Sequence, residues 1–412
     1  MEQSAIQSTG VRTPGRFMLI RNGQIVREND VVQASVAVEE GKIYSVLENE
    51  REVQAWLANR RGETVVFDAA GKYILPGLID IHCDAIEKEA QPRPNTLFPL
   101  QLALLEFERK LPVHGITTMY HSLSLGVGLS LRGEHLLTEM VELINRYKEK
   151  RAMIRNRIHL RFEVSHHSGL PIIERYVQEG KIHYLSFMDH SPGQGQYREP
   201  GSFERYVMKN QGVTVDEVKE IVEDLLRKRQ DIDWERLKTL GKLAAEHGIA
   251  VASHDDDTRE KVDAAPDYSI TVSEFPITLE VARYAAAQGL DVCVGAPNVV
   301  RGGSHDKNLR AADAIAEGAA SILCSDYHPS SMLAAIFMLA DAGITDLAGA
   351  VKMATLNPAR ALGCSDTLGS IQTGKAADLI IVDRFEGTPW VTDTFVDGAH
   401  VFSAAVRYDS RG

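Results

Sequence analysis

The chain has 412 residues, of which 44% are hydrophobic and 25% are charged, and its formal net charge is -12. These values are typical of a globular protein with enough apolar surface for a large core. The acidic balance argues against a general binder of nucleic acid or of anionic membranes, although a local Arg and Lys cluster could still bind an anionic substrate.

The cysteines and the N-terminus predict a cytoplasmic protein. The four cysteines are far apart and include no CxxC pair, which favours small buried hydrophobic side chains in a reducing compartment. No apolar run reaches the roughly 18 residues that a membrane span needs. The first eight residues lack the basic and apolar regions of a signal peptide.

The N-terminal part of the chain is predicted to be rich in β-strands after a loose tail over residues 1–15. Asn22-Gly23 is a strong hairpin signal between two apolar runs, and Glu40-Gly41 stands between a second pair of runs. Residues 64–68 form another predicted strand. These strands are too few for a sheet that stands alone, so further strands are needed.

The missing strands are expected at the other end of the chain. Residues 374–383 read as a strand and residues 392–402 as a terminal hairpin. The simplest architecture is a small β-sandwich domain formed by both chain ends, residues 1–73 and 366–412. A large central domain, residues 74–365, is inserted between them.

The central domain alternates short apolar strands with amphipathic helices. This alternation, without hairpin turns, predicts an α/β fold with a TIM-like (β/α)8 barrel and an all-parallel sheet. The eight predicted strands are residues 77–82, 115–121, 158–163, 182–189, 249–254, 269–274, 290–295 and 320–326. Residues 194–211 are predicted to form a long loop over the mouth of the fourth strand.

Polar residues follow the predicted barrel strands at their carboxyl ends, where a barrel of this kind builds its active site. In the stretch 74–84, a short apolar strand ends in His82 and Asp84, two residues apart and therefore on one face. The other residues at these ends are His121, Glu163, His166, His167, Asp189, His190, His254, Asp255, Asp256, Asp257, Glu274, Asn298, Asp326 and His328. By contrast, His114 and His247 each precede a Gly and read as last-turn helix residues at the opposite end.

A mixed His, Asp and Glu set without Cys suits a divalent ion such as Zn²⁺, Mn²⁺ or Fe²⁺. More than four such groups suggest two ions with a bridging carboxylate. The predicted metal ligands are His82, Asp84, Glu163, His190, His254 and Asp326. Asp326 is also the predicted catalytic base, because a carboxylate at the last strand can take a proton from water. A hydrogen-bonded polar core is the alternative, and direct roles for His166 and His167 stay open.

A second group of residues predicts an anion site beside the metal site. Arg301 precedes a Gly-Gly turn after the seventh strand, and such a turn can aim backbone N–H groups at a phosphate. An ordinary flexible loop is the alternative. The predicted substrate-binding residues are Lys88, Arg93, Arg301, Gly302, Gly303, His305 and His328.

Three stretches at the two ends of the barrel resemble the amidohydrolase superfamily: residues 75–84, 355–363 and 369–383. A narrower resemblance, carried by motifs within the barrel, spreads over nearly the whole chain. Residues 82–94, 187–196, 295–305 and 325–327 are similar to the PhnM family of phosphonate utilisation.

The resemblance implies hydrolysis of α-D-ribose 1-methylphosphonate 5-triphosphate to the 5-phosphate and pyrophosphate. It implies that Asp84 replaces the commoner second His, and that Glu163 replaces the usual carboxylated lysine as bridging ligand. His190, His254 and Asp326 would then complete two metal shells, with Asp326 as base for attack on the phosphorus next to the ribose. Arg301, Lys88 and Arg93 would hold the triphosphate or phosphonate charges.

Two other functions are compatible with the same scaffold. One is hydrolysis of a cyclic amide or an N-acyl substrate, and the other is a catalytically silent barrel used for assembly. We expect a small anionic phosphorylated substrate rather than nucleic acid or membrane. The sequence does not fix the oligomeric state, and a homo-oligomer is compatible with it.

Overall fold

A computed structural model describes residues 16–60, 62–93, 96–126, 133–211, 214–303 and 308–405. The predicted tail at residues 1–15 and the predicted substrate residue His305 lie outside these ranges. No helix in the described part of the chain has both the length and the apolar character needed to cross a membrane.

The described residues form strands and helices over most of their length. The strands are β1 (Phe17–Val26), β2 (Val31–Glu39), β3 (Lys42–Leu47), β4 (Thr64–Asp68), β5 (Tyr73–Pro76), β6 (Leu78–Cys83), β7 (Ile116–Leu125), β8 (Arg155–Glu163), β9 (Tyr184–Met188), β10 (Ala250–His254), β11 (Ile270–Glu274), β12 (Asp291–Gly295), β13 (Ile322–Cys324), β14 (Leu379–Phe385), β15 (Thr388–Val396) and β16 (Ala399–Ser403). The α-helices are α1 (Glu50–Ala58), α2 (Ala85–Ala90), α3 (Leu100–Lys110), α4 (Glu134–Lys150), α5 (Leu170–Gln178), α6 (Ser202–Gln211), α7 (Val215–Gln230), α8 (Trp234–Glu246), α9 (Arg259–Ala264), α10 (Leu279–Ala287), α11 (Ala296–Arg301), α12 (Ala311–Ala316), α13 (Ser331–Asp341), α14 (Leu347–Met353) and α15 (Leu356–Ala361).

The strands β6 to β13 form a nearly closed parallel barrel in chain order. A bridge between Cys83 and Asp326 brings its first and last strands together. Side chains such as Ile81, Tyr184 and Val272 fill the interior, and the helices pack their apolar faces on the outside. The predicted fold class and all eight predicted barrel strands are therefore confirmed.

The remaining strands come from both ends of the chain and form a second sheet, as predicted. Its order is β16-β15-β14-β5-β1-β2-β3, and β4 pairs with β1 in parallel. A turn at Glu40 and Gly41, both with positive φ, joins β2 to β3. The stretch 74–84 is shared between the two sheets, because β5 belongs to the second sheet and β6, just after Gly77, belongs to the barrel.

The predicted hairpin at Asn22-Gly23 is wrong. These residues form a bulge inside the single strand β1, where the pairing with β2 shifts register. Asn22 has a φ of 58°, and its side-chain amide donates to Asp68 at 3.1 Å. A Cβ at Gly23 would lie 2.2 Å from Cδ1 of Ile74. A bulge and a tight turn need the same left-handed residue types, so Asn-Gly alone does not separate them.

The segment after the fourth barrel strand is more ordered than predicted. Residues 194–211 contain a 3-10 helix, Gly195–Tyr197, and the helix α6 rather than one long loop. The apolar side chains of Phe203 and Val207 pack with Val218 of α7 in a small cluster of their own. The spacing of these apolar residues is typical of a helix, but the surrounding Gly, Arg and Glu residues obscured the pattern.

Candidate active site

The polar residues converge at the carboxyl end of the barrel because parallel strands end at one rim. The last residues of three strands provide Glu163 from β8, His254 from β10 and Glu274 from β11, and His82 stands one residue before the end of β6. Residues just after the strands complete the cluster; they are Asp84, His190, Asp255 and Asp326.

One candidate metal group consists of His82, His254 and Glu274, whose ligand atoms lie within 4.8 Å of one another. Nδ1 of His82 lies 3.0 Å from Oε1 of Glu274. The hydroxyl of Tyr184 donates to the same oxygen at 2.9 Å. Burial, reinforced by the nearby charge of Arg161, lowers the pKa of His82 well below its usual value. His82 is therefore neutral, which is the form that binds a metal.

A second candidate group consists of His190, His254 and Asp255, so His254 belongs to both. Nε2 of His190 lies 3.7 Å from Oδ2 of Asp255, and Nδ1 of His254 lies 3.3 Å from its Oδ1. Glu163 fixes His190 from the other side. It accepts the His190 backbone N–H at 3.0 Å and contacts Nδ1 at 3.0 Å.

Asp84 and Asp326 stand side by side at the closure of the barrel. The Asp84 N–H donates to the Asp326 carbonyl at 2.8 Å, and the Asp326 N–H donates to the His82 carbonyl at 2.8 Å. Burial, and then the charge of Asp84, raise the pKa of Asp326 to about 7. The two carboxylates repel each other, and a cation between them would relieve this repulsion.

The donor set fits a divalent ion. Buried ligand atoms of the site lack a hydrogen-bond partner within the described part of the chain, which is costly unless something else binds them. These atoms are Asp84 Oδ1, His190 Nε2, His254 Nδ1, Asp255 Oδ2 and Glu274 Oε2. Nitrogen and oxygen donors without a thiolate suit Zn²⁺, Mn²⁺ or Fe²⁺.

The structure brings all six predicted metal residues to one rim, but only three of them belong to the two candidate metal groups. His82, His190 and His254 lie in the two candidate groups, whereas Asp84, Glu163 and Asp326 border them. Asp255 and Glu274 belong to these groups although neither was predicted as a ligand. Both stand at predicted strand ends, so their position was visible in the sequence, but the direction of their side chains was not.

Several other histidines lie away from these groups. His121 is buried outside the barrel wall, where Nε2 lies 2.8 Å from Oδ1 of Asn156. His166 contacts Glu134 at 3.2 Å, and Nε2 of His167 lies 3.0 Å from the carbonyl of Lys228. The exposed ring of His328 contacts the Ser330 hydroxyl at 3.1 Å, so its predicted contact with substrate stays a prediction.

The predicted anion residues lie around the rim. Lys88 is exposed on α2 with its Nζ 5.3 Å from the ring centre of Tyr327, and Arg93 is exposed just beyond. Arg301 is exposed at the end of α11. The N–H groups of Gly302 and Gly303 already donate to carbonyls of that helix, at 3.1 and 3.0 Å. They therefore end the helix, and an anion at this turn would rely on the Arg301 side chain.

The chain is similar in sequence to known proteins of one enzyme family. Residues 210–401 match the model of the Amidohydrolase family. The chain is 34% identical to the alpha-D-ribose 1-methylphosphonate 5-triphosphate diphosphatase of Escherichia coli (strain K12) over 392 residues, covering 93% of this chain and 100% of that protein.

Solved structures support the fold alone. The N-acetylglucosamine-6-phosphate deacetylase of Pasteurella multocida is 12% identical, with a TM-score of 0.61 over 93% of this chain and 99% of that one. The dihydropyrimidinase of Brevibacillus agri NCHU1002 is 15% identical, with a TM-score of 0.63 over 93% and 94%.

Proposed function

The chain belongs to the amidohydrolase superfamily and, within it, to the PhnM family, and from this membership we propose that it is a metal-dependent hydrolase that releases pyrophosphate from an α-D-ribose 1-alkylphosphonate 5-triphosphate. The observation that carries this proposal is the 34% identity to a diphosphatase over the full length of that relative. The two candidate metal groups at the barrel mouth supply the chemistry that the reaction needs.

The residues at the mouth have distinct roles in this proposal. His82 and Glu274 would hold one ion and His190 and Asp255 a second, and His254, whose ring can ligate only one ion through its free Nδ1, would complete one of the two sets. A bound divalent ion supplies Lewis acidity and lowers the pKa of water. Glu163 holds His190 through its backbone N–H and keeps its ring in one orientation through Nδ1.

Asp326 accepts the proton of the attacking water at its carboxylate. The water oxygen bonds to the phosphorus next to the ribose, and the anhydride bond to the next phosphate breaks. Pyrophosphate leaves, and the ribose keeps one phosphate. Lys88, Arg93 and Arg301, which are exposed, would bind the outgoing charges.

The test is an assay of pyrophosphate release from α-D-ribose 1-methylphosphonate 5-triphosphate. Protein reconstituted with Mn²⁺, Zn²⁺ or Fe²⁺ is compared with protein stripped by a chelator. We expect pyrophosphate and the 5-phosphate in equal amounts, only in the metal-loaded samples. Fully loaded protein that leaves the triphosphate intact but hydrolyses a cyclic amide or an N-acyl substrate would contradict the proposal.

A further inference from the structure

Arg161 is a buried cation in the middle of the candidate active site. It lies on β8, two residues before Glu163, and only 6% of it is exposed. Its Nη2 lies 3.0 Å from Nε2 of His254, and its Nη1 lies 3.9 Å from Oδ2 of Asp84. The guanidinium therefore reaches both a candidate metal ligand and the carboxylate that follows β6.

The hydrogen bonds of this guanidinium are far from complete. Arginine carries five N–H donors and cannot lose its proton, so a buried arginine normally meets a carboxylate or a phosphate with two parallel hydrogen bonds. Here one donor reaches a ring nitrogen of His254, the nearest carboxylate contact is 3.9 Å long, and Nε is buried without a partner in the described part of the chain. Most of its binding capacity is unused.

A purely structural role explains this arrangement poorly. Groups that orient metal-binding histidines are usually carboxylates or carbonyls, which strengthen the ligand, as Glu163 and Glu274 do in this site. A positive charge beside His254 has the opposite effect, because it repels any cation bound there. Such a charge is useful where an anion enters the same site.

We propose that Arg161 binds the phosphoryl group under attack, with its fork of donors on the oxygens of that group. The identity of this group rests on the proposed function, whereas the prediction of an anion at Arg161 does not. The fork matches two oxygens of a tetrahedral phosphoryl group, and a neutral amide offers no such pair. Arg161 thus differs from Lys88, Arg93 and Arg301, which are exposed and are proposed to bind the outgoing phosphates.

The test compares Arg161→Gln and Arg161→Lys with the parent protein and with Arg236→Gln. Arg236 lies on α8 and pairs with Glu174 away from the site, so its loss controls for a missing arginine. Calorimetry measures the binding of inorganic phosphate, which stands for the phosphoryl group under attack, to metal-loaded and metal-free protein, and elemental analysis measures metal content. Steady-state rates are measured with the ribose triphosphate.

We expect Arg161→Gln to keep the parent's metal content and to bind inorganic phosphate at least about tenfold more weakly, with or without metal. Its kcat/KM falls by about 10²- to 10³-fold, as for loss of a donor to developing charge. Arg161→Lys keeps the charge but not the fork, and recovers only part of both losses. Arg236→Gln behaves like the parent.

Unchanged phosphate binding in Arg161→Gln would overturn the proposal. Loss of metal, with phosphate binding restored when metal is reloaded, would also overturn it and would make Arg161 a positioning residue for His254. If Arg161→Gln does not fold, Arg161→Lys carries the same comparison. If the parent does not hydrolyse the triphosphate while Arg161→Gln still weakens phosphate binding, the proposed function fails and the anion role of Arg161 stands.

Discussion

At the scale of single residues, paired carboxylates fix the histidines of the site. Glu274 contacts His82 and Glu163 contacts His190, each at 3.0 Å. A carboxylate on one ring nitrogen fixes the ring orientation and strengthens the other nitrogen as a ligand. This pattern explains why two glutamates and two histidines from different strands act as matched pairs.

The role of Glu274 leads to a prediction on metal affinity. Glu274→Gln removes the negative charge that contacts His82 through Oε1 and could bind the ion through Oε2, and we expect metal to bind at least about 10- to 100-fold more weakly. Titration with a competing chelator measures this change. Tyr184→Phe is the matched control, since it removes the other contact of Glu274 and leaves His82 paired, and it should change affinity far less. Equal effects of the two substitutions would refute this role for Glu274.

The proposed base is tested by Asp326→Asn. Asp326 has a φ of 59°, a left-handed conformation that asparagine adopts readily, so the backbone should not change. We expect the variant to retain most of its metal and to lose turnover by about 10²- to 10⁴-fold, because the amide cannot accept the proton. Metal content and kcat are measured on the same sample. A variant with near-normal kcat would remove Asp326 from this role.

The effect of replacing Arg301 distinguishes a polyphosphate substrate from an amide substrate. With the triphosphate, Arg301→Ala should raise KM about tenfold, since one charge-assisted contact is lost. Arg310→Ala is the control, because Arg310 is also exposed near this loop and contacts Asp313. With an amide substrate Arg301→Ala should barely change the rate. Equal KM values for both variants on the triphosphate would argue against anion binding at Arg301.

At the scale of elements, one arginine of the barrel forms ion pairs with the second sheet. Arg155 at the start of β8 pairs with Asp378, just before β14, and with Asp397, just after β15. Asp378 also accepts the Asp397 backbone N–H at 2.9 Å. Two carboxylates from the C-terminal part of the second sheet thus meet a strand of the barrel.

The two carboxylates of this contact predict unequal effects on stability. Asp378 is buried and Asp397 is exposed. Asp378→Ala leaves Arg155 without its buried partner and should lower the free energy of unfolding by about 3 kcal/mol. Asp397→Ala should cost less than about 1 kcal/mol, as expected of an exposed pair. Denaturant unfolding of both variants measures the difference, and similar losses would contradict this account.

The elements were predictable to different degrees for physical reasons. The barrel strands were found because apolar runs, bounded by polar strand ends, follow directly from burial. The bulge at Asn22 was misread as a turn, because its outcome depends on Ile74 and Asp68, which pack against it from other strands. Arg161 was missed as a site residue. Its side chain points inward because of how the barrel closes, which the residues beside it in the sequence do not show.

At the scale of the whole molecule, the barrel wall separates two buried polar layers. The inner layer is the candidate active site, and an outer layer lies between barrel and helices. In the outer layer, Asn156 bridges His121 and Glu108, with contacts of 2.8 and 2.7 Å. The outer layer does not reach the metal groups, so the histidine in it affects stability rather than activity.

This separation predicts a pH effect on stability. Burial lowers the pKa of His121 to about 4, below its ordinary value of 6.5. The unfolded chain therefore binds more protons between these values, so His121 lowers stability as pH falls below 6.5. At pH 5.0 the loss should be about 2 kcal/mol relative to pH 7.5. The free energies of unfolding of the parent and of His121→Gln, measured at both pH values, isolate the contribution of His121. An equal pH dependence of the two proteins would contradict this role of His121.

The central claim is that this barrel attacks the phosphorus next to the ribose and releases pyrophosphate. Hydrolysis of α-D-ribose 1-methylphosphonate 5-triphosphate by the metal-loaded protein in oxygen-18 water, followed by phosphorus NMR, tests it most directly. We predict one oxygen-18 atom in the 5-phosphate and none in the pyrophosphate. Label in the pyrophosphate, release of orthophosphate instead, or no turnover would contradict the claim.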